Sequence, residues 1–285
     1  MLKKILGIAP KPTSEGGYQP SRVALKLATQ AKTDYDHTQF TTFYQGDKRV
    51  LMLCTEEQYM TMKNGKKFST GNHPVEMLVP MLHLQQAGFD VDIATPTGKP
   101  VQIETWAMPE KDPAVKAIFS DYQYQFENPM SLHEFVQNDM DSSEDYLAVF
   151  IPGGHGAMLG LPTNEDVQQI IEWVNKNDLF MLSICHGPAV LLAADKTGRK
   201  KDFIYRGYKM ATFPDSVDSK TPMIGYMPGK VPWKFNKRLK SLGVTLVNKN
   251  ADDTCQVDRK LITAASPKAA NDFGKLITNT LLKNC

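Results

Sequence analysis

The 285-residue chain reads as an α/β protein built on a doubly wound, mostly parallel sheet of the flavodoxin-like or class I amidotransferase-like kind. Two observations predict it. From residue 49 onward, short apolar strand-like runs alternate with amphipathic helical runs, the pattern of βαβ units. The clearest strands also end in Gly-rich or Cys-His-Gly turns, as expected where a sheet gathers functional groups at its C-terminal edge.

Taken in order, residues 1–48 read as an extended N-terminal arm. Residues 10–48 are rich in Pro, Gly, Ser, Thr and Gln with no sustained periodicity, and a short helix is expected around Ser21–Ala31. Residues 49–285 form the α/β domain. Arg49–Cys54 is its first strand. A polar loop follows, then a helix from His73 to Ala87, with Asn72 as expected cap, Pro74 in the first turn and Gly88 as stop. Val91–Ala94 is the second strand. Residues 98–145, with a strand-like Val101–Thr105 and aromatic helical runs, read as an insertion forming a small lid subdomain. The alternation resumes with Tyr146–Ile151, a helix over Asn164–Asn177 and the strand Phe180–Ile184. Further strands are expected at Tyr208–Phe213, Thr245–Val247 and Leu261–Ala264. Helices are expected at Val231–Leu242 and Ser266–Leu282, the latter capped by Ser266.

Composition narrows the function classes. With 33 basic and 31 acidic residues the net charge is +2, so charge points to neither a nucleic-acid nor a membrane partner. No apolar run approaches a membrane span. Met1–Pro10 carries two lysines and only a short apolar stretch, thin for a signal-peptide core. The four cysteines, Cys54, Cys185, Cys255 and Cys285, contain no CxxC pair and make no disulfide framework, which fits a reducing cytoplasm.

The chemistry concentrates at Cys185. An apolar strand runs into Cys185-His186-Gly187-Pro188 and a helical pattern follows at once, the layout of a nucleophile elbow. A free Cys more often packs as a small hydrophobe, so the turn gains force only from its neighbours. Gly153-Gly154, after another strand, lets backbone amides turn toward a substrate oxygen, with the His186 amide as second donor. Glu76 lies in the first turns of a helix starting near the same edge; a carboxyl buried beside a thiol stays protonated and relays a proton. No histidine follows His186, which excludes a triad with a distant downstream base. Asp215, after Phe213-Pro214, is the best-placed acid to orient His186.

These stretches together resemble the ThiJ/PfpI superfamily, most nearly its bacterial heat-shock chaperone and glutathione-independent glyoxalase branch, also described as protein deglycases. The resemblance rests on Phe68-Ser69-Thr70-Gly71-Asn72-His73-Pro74-Val75-Glu76, Trp106-Ala107-Met108-Pro109, Pro152-Gly153-Gly154-His155-Gly156, Cys185-His186-Gly187-Pro188-Ala189, and Ile224-Gly225-Tyr226-Met227-Pro228-Gly229-Lys230. It implies Cys185 as nucleophile, His186 and Asp215 as its partners, Glu76 as acid/base, and Gly154 with the His186 amide holding the substrate oxygen. It further implies a homodimer, no redox cofactor, methylglyoxal or another small α-oxoaldehyde as substrate, and glycated or unfolded proteins as larger partners. Aligned through the same motifs, the branch's His, Glu and His metal ligands become Gln85, Asp90 and Tyr122, so no zinc is expected there. The branch's usual N-terminal linker is not recognisable before Arg49. Two other readings remain open. A stress holdase would keep its activity in Cys185→Ser, and a cysteine peptidase or amidase would need an open cleft.

Overall fold

A computed structural model describes residues 6–140 and 144–285. The start of the Met1–Pro10 segment and residues 141–143 of the insertion lie outside them. The main sheet has seven strands: β1 (Arg49–Leu53), β2 (Val91–Thr95), β3 (Met130–Ser131), β4 (Tyr146–Ile151), β5 (Phe180–Ile184), β6 (Cys255–Asp258) and β7 (Leu261–Ala264). Their spatial order is β6-β7-β5-β4-β1-β2-β3, and every pair is parallel except the β6–β7 hairpin.

Alternation along each strand divides the core in two. Val50, Met52, Phe150 and Leu182 face one side, where helices α1 (Pro74–Gln86) and α3 (Ala270–Leu282) pack. Leu51, Leu53, Val149 and Met181 face the other side, against α2 (Glu165–Lys176) and the helical turns of Gly187–Ala194. Burial on both faces explains why these strands read as continuous apolar runs.

The expected α1 ends as its sequence suggests, with Gly88 in the left-handed region at φ 87° just beyond it. Its start differs. His73, not Asn72, occupies the cap position, and its side chain makes no capping bond. The Asn72 amide instead donates to the carbonyls of Thr55 and Gln102 and accepts from the Thr55 N–H. That ties the loop after β1 to residues 101–104, which form one bridge, Asn72 with Ile103, rather than the expected strand. The helix expected over 231–242 is confined to Phe235–Ser241, with Lys234 extended at its start; Pro232 disfavours a helical conformation at the residue before it. The Tyr208–Phe213 and Thr245–Val247 runs pair over two residues only, Lys209–Met210 with Thr245–Leu246, apart from the main sheet.

Residues 98–140 are woven into the domain. Val115, Ile118 and Phe126 join one core, Leu132 and Phe135 the other, and β3 completes an edge of the sheet. The polar loop after β1 holds a hairpin, Tyr59–Thr61 with Lys67–Ser69. The arm adds to it through Tyr18–Gln19, which runs parallel to Lys67–Ser69. Phe68 centres a third small cluster with Met60, Met62, Met227 and Val231 beside the carboxyl edge of the main sheet.

Candidate active site

Three turns at that edge converge on one thiol. β5 ends at Ile184, and Cys185 takes the left-handed conformation at φ 63°. A non-Gly residue there carries about 1–3 kcal/mol of strain and persists only where neighbours fix it. Here the Cys185 N–H donates to the Ala264 carbonyl at 2.8 Å, and its own carbonyl accepts from the Phe213 N–H at 2.8 Å. Cys185 is 4% exposed.

Glu76, on the first turn of α1, is fully buried against this thiol. Burial pushes its carboxyl well above the usual range, which the nearby Cys185 thiol and Gly154 amide only temper. Neither of its oxygens has a hydrogen bond of ordinary geometry. Burial likewise raises the Cys185 thiol well above its ordinary value, and Glu76 raises it further. Burial thus favours the neutral form of both groups. Gly153 makes their contact possible: a Cβ there would collide with the Glu76 carboxyl and sit 2.7 Å from the Cys185 Cβ. Gly154, at φ 102°, turns its amide toward both groups.

His186 Nδ1 lies 3.2 Å from the Cys185 sulfur, and its ring stacks on Phe213 at 4.6 Å. The acid behind it is Asp218, not Asp215. Asp218 Oδ2 is 2.9 Å from His186 Nε2, and Asp218 Oδ1 is 3.0 Å from His155 Nε2. Asp215 turns the other way and accepts the N–H groups of Asn236 and Lys237 at 3.3 and 3.0 Å, where the helix Phe235–Ser241 begins. Both aspartates sit on one helical turn, Asp215–Asp218, and only the later one points inward.

Behind His155 stands a second buried carboxyl. Glu104 Oε1 accepts from Thr70 Oγ1 at 2.8 Å and lies 4.0 Å from His155 Nδ1. Burial pushes Glu104 up to about 7. The sequence offered little to find these groups: His155 adjoins the Gly pair, but Glu104 and Asp218 carry no local signal of their role.

The converging groups line a cavity of about 260 Å³. Cys185, His186, His155, His73 and Glu104 occupy its polar end, and Leu27 and Ala28 of the arm stand on its wall. The arm reaches this position through a short helix, Arg22–Ala28, capped by Ser21. Ser21 also donates its hydroxyl to the Ile224 carbonyl at 2.8 Å. Phe68, Trp106 and Tyr226 pack on one another, Phe68 and Tyr226 touch the His155 ring, and Tyr226 lines the cavity.

Gln85, Asp90 and Tyr122 do not fit zinc. Gln85 offers a neutral amide, and burial raises the Tyr122 phenol further from ionisation. Among the described residues one group of three His and Asp side chains brings ligand atoms within 4.8 Å: His155, His186 and Asp218. Their facing atoms already hydrogen-bond one another.

Comparison with known proteins gives the chain its family and fold relatives. The DJ-1/PfpI family model matches residues 48–213. A protein named protein/nucleic acid deglycase HchA from Pseudomonas aeruginosa (strain UCBPP-PA14) is 42% identical over 275 residues, covering 96% of this chain and 94% of that protein. The protein of the same name from Staphylococcus aureus (strain N315) matches with the same identity and coverage. Among solved structures, glyoxalase III from Candida albicans shares the fold with a TM-score of 0.62 at 22% identity, over 82% of this chain and 97% of that one.

Proposed function

The chain belongs to the DJ-1/PfpI family, and from the geometry of its site we propose that it is a glutathione-independent glyoxalase acting through Cys185. The observation that carries the proposal is the Glu76 carboxyl buried against a thiol whose other neighbour is a histidine nitrogen 3.2 Å away, with burial raising both the carboxyl and the thiol. Such a set can add a thiol to an aldehyde and then move a carbon-bound proton without a redox cofactor.

The steps balance as follows. The Cys185 sulfur bonds the aldehyde carbon of methylglyoxal, the thiol proton passes to His186 Nδ1, and Glu76 gives its proton to the aldehyde oxygen. The resulting Glu76 carboxylate takes the hydrogen from the hemithioacetal carbon, while His186 protonates the neighbouring carbonyl oxygen, giving an enediol. Glu76 returns its proton to the second carbon, and His186 takes the hydroxyl proton of the first. The product is a thioester of lactate on Cys185. Water supplies hydroxyl to the acyl carbon and a proton to sulfur, releasing lactic acid, and the His186 proton returns to Glu76. The first carbon is oxidised as the second is reduced, so the net reaction is methylglyoxal plus water to lactic acid. The Gly154 and His186 amides hold the developing oxyanion in this scheme.

The same addition would open glycated adducts, in line with the deglycase name of relatives 42% identical to this chain. That name extends to nucleic acids, a class that the chain's near-neutral charge does not suggest. A thiol 4% exposed at a cavity of about 260 Å³ supports a small carbonyl substrate over a threaded peptide. The test is lactate formation from methylglyoxal without glutathione. The native chain should turn over and Cys185→Ser should lose at least about 10³-fold; equal rates would refute the proposal.

A further inference from the structure

We propose that His155 is a positioning residue for this chemistry, clamping the far oxygen of Asp218 and carrying the positive charge that keeps His186 neutral until the thiol proton arrives. This rests on the reading of Cys185 and His186 as the reacting pair.

Asp218 is 1% exposed, and its two oxygens are divided between two imidazoles, His186 at 2.9 Å and His155 at 3.0 Å. A carboxylate only accepts hydrogen bonds, so each Nε2 must carry a hydrogen. For His186 this fixes the tautomer and leaves Nδ1 bare toward the Cys185 sulfur, as a base requires. The two rings lie 4.0 Å apart, centroid to centroid. Two imidazolium charges that close oppose each other, so one proton serves the pair.

The surroundings assign that proton to His155. It alone of the two has a second carboxyl behind it, Glu104, 4.0 Å from Nδ1 and anchored by Thr70. Burial pulls His155 down, but Asp218 and then Glu104 raise it above its ordinary value. His186 falls below its ordinary value through burial and the neighbouring His155 charge. The other titratable groups facing the pair are His73, Glu76, Cys185 and Tyr226. Burial holds His73 down to about 3 and raises the remaining three, which favours the neutral form of all four. The charges left are one cation on His155, Asp218 opposite it, and a titrating Glu104. His186 can then accept the thiol proton while Asp218 stays aligned.

His155→Gln tests this, because glutamine keeps a donor for Asp218 and removes the charge. The primary readout is iodoacetamide alkylation of Cys185 from pH 5 to 9, which needs no substrate and separates this inference from the glyoxalase reading. Loss of the neighbouring charge should move the acidic limb upward by about one pH unit, with the same displacement in kcat/KM for methylglyoxal. Glu104→Gln should move it in the same direction by less, and it decides the matter if His155→Gln does not fold. An acidic limb unmoved in the folded variants, whatever happens to the plateau rate or Tm, would reduce His155 to a packing role and overturn the proposal.

Discussion

Cys54 and Cys185 occupy equivalent places in the sheet and differ in their backbone turn and their polar neighbours. Each follows the last residue of a parallel strand, β1 and β5, each is buried, and burial raises each thiol. The N–H of each extends its strand's ladder, Cys54 donating to the Ala94 carbonyl and Cys185 to the Ala264 carbonyl, both at 2.8 Å, and both side chains border the same apolar core, where Cys54 is fully buried. Cys185 breaks from the strand at φ 63° and meets Glu76 on one side and His186 on the other. A strand end is thus insufficient. What sets Cys185 apart is a left-handed turn that brings it against Glu76 and His186, and a Gly153 small enough to admit the carboxyl.

The largest effect that should sharpen this contrast is Glu76→Gln. An amide matches the neutral carboxyl in shape but cannot relay its proton, so turnover should fall about 10²–10⁴-fold with the fold retained. Near-native rates would give the relay to His186 or water. Next comes the pair of aspartates. Asp218→Asn should lower kcat by roughly 10²-fold or more by disturbing the His186 tautomer. Asp215→Asn should leave kcat unchanged, with stability reduced by about 1 kcal/mol at most through a weakened helix start. Equal kinetic losses in both would contradict the assignment of Asp218.

Much of this was legible in the sequence, and the reasons are local. The runs Tyr146–Ile151 and Phe180–Ile184 had to be buried strands, and Cys185-His186-Gly187 and Gly153-Gly154 announce turns wherever they occur. Asp218 was not legible. It lies three residues from Asp215 on one helical turn, and the inward member depends on how Phe213-Pro214 enters that turn, held by the Phe213 bond to Cys185. The arm escaped for a similar reason. Its place on the cavity wall follows from Tyr18 pairing with Phe68 and Ser21 binding Ile224, contacts that span long stretches of chain and leave no period. The hairpin Tyr59–Thr61 with Lys67–Ser69 hid in a polar loop because only one face of it is buried.

The smallest expected effect concerns stability. Glu76 has a folded pKa above its unfolded value, so the folded state holds its proton more tightly. Below about pH 4 both states are protonated and the carboxyl costs nothing. As pH rises above that, the unfolded state ionises first and native stability falls. Glu76→Gln should therefore match the native Tm in acid and exceed it increasingly toward neutral pH. A constant Tm difference across pH 4–8 would mean that Glu76 ionises normally in the folded chain.

The central claim is that Cys185 alone among the four thiols does the chemistry. Residue-resolved alkylation, followed alongside methylglyoxal turnover, tests it most directly. Activity should fall in proportion to modification of Cys185, with methylglyoxal protecting that residue and Cys54 unlabelled in the folded protein. Activity lost in step with Cys54 or Cys255, while Cys185 remains free, would contradict the account.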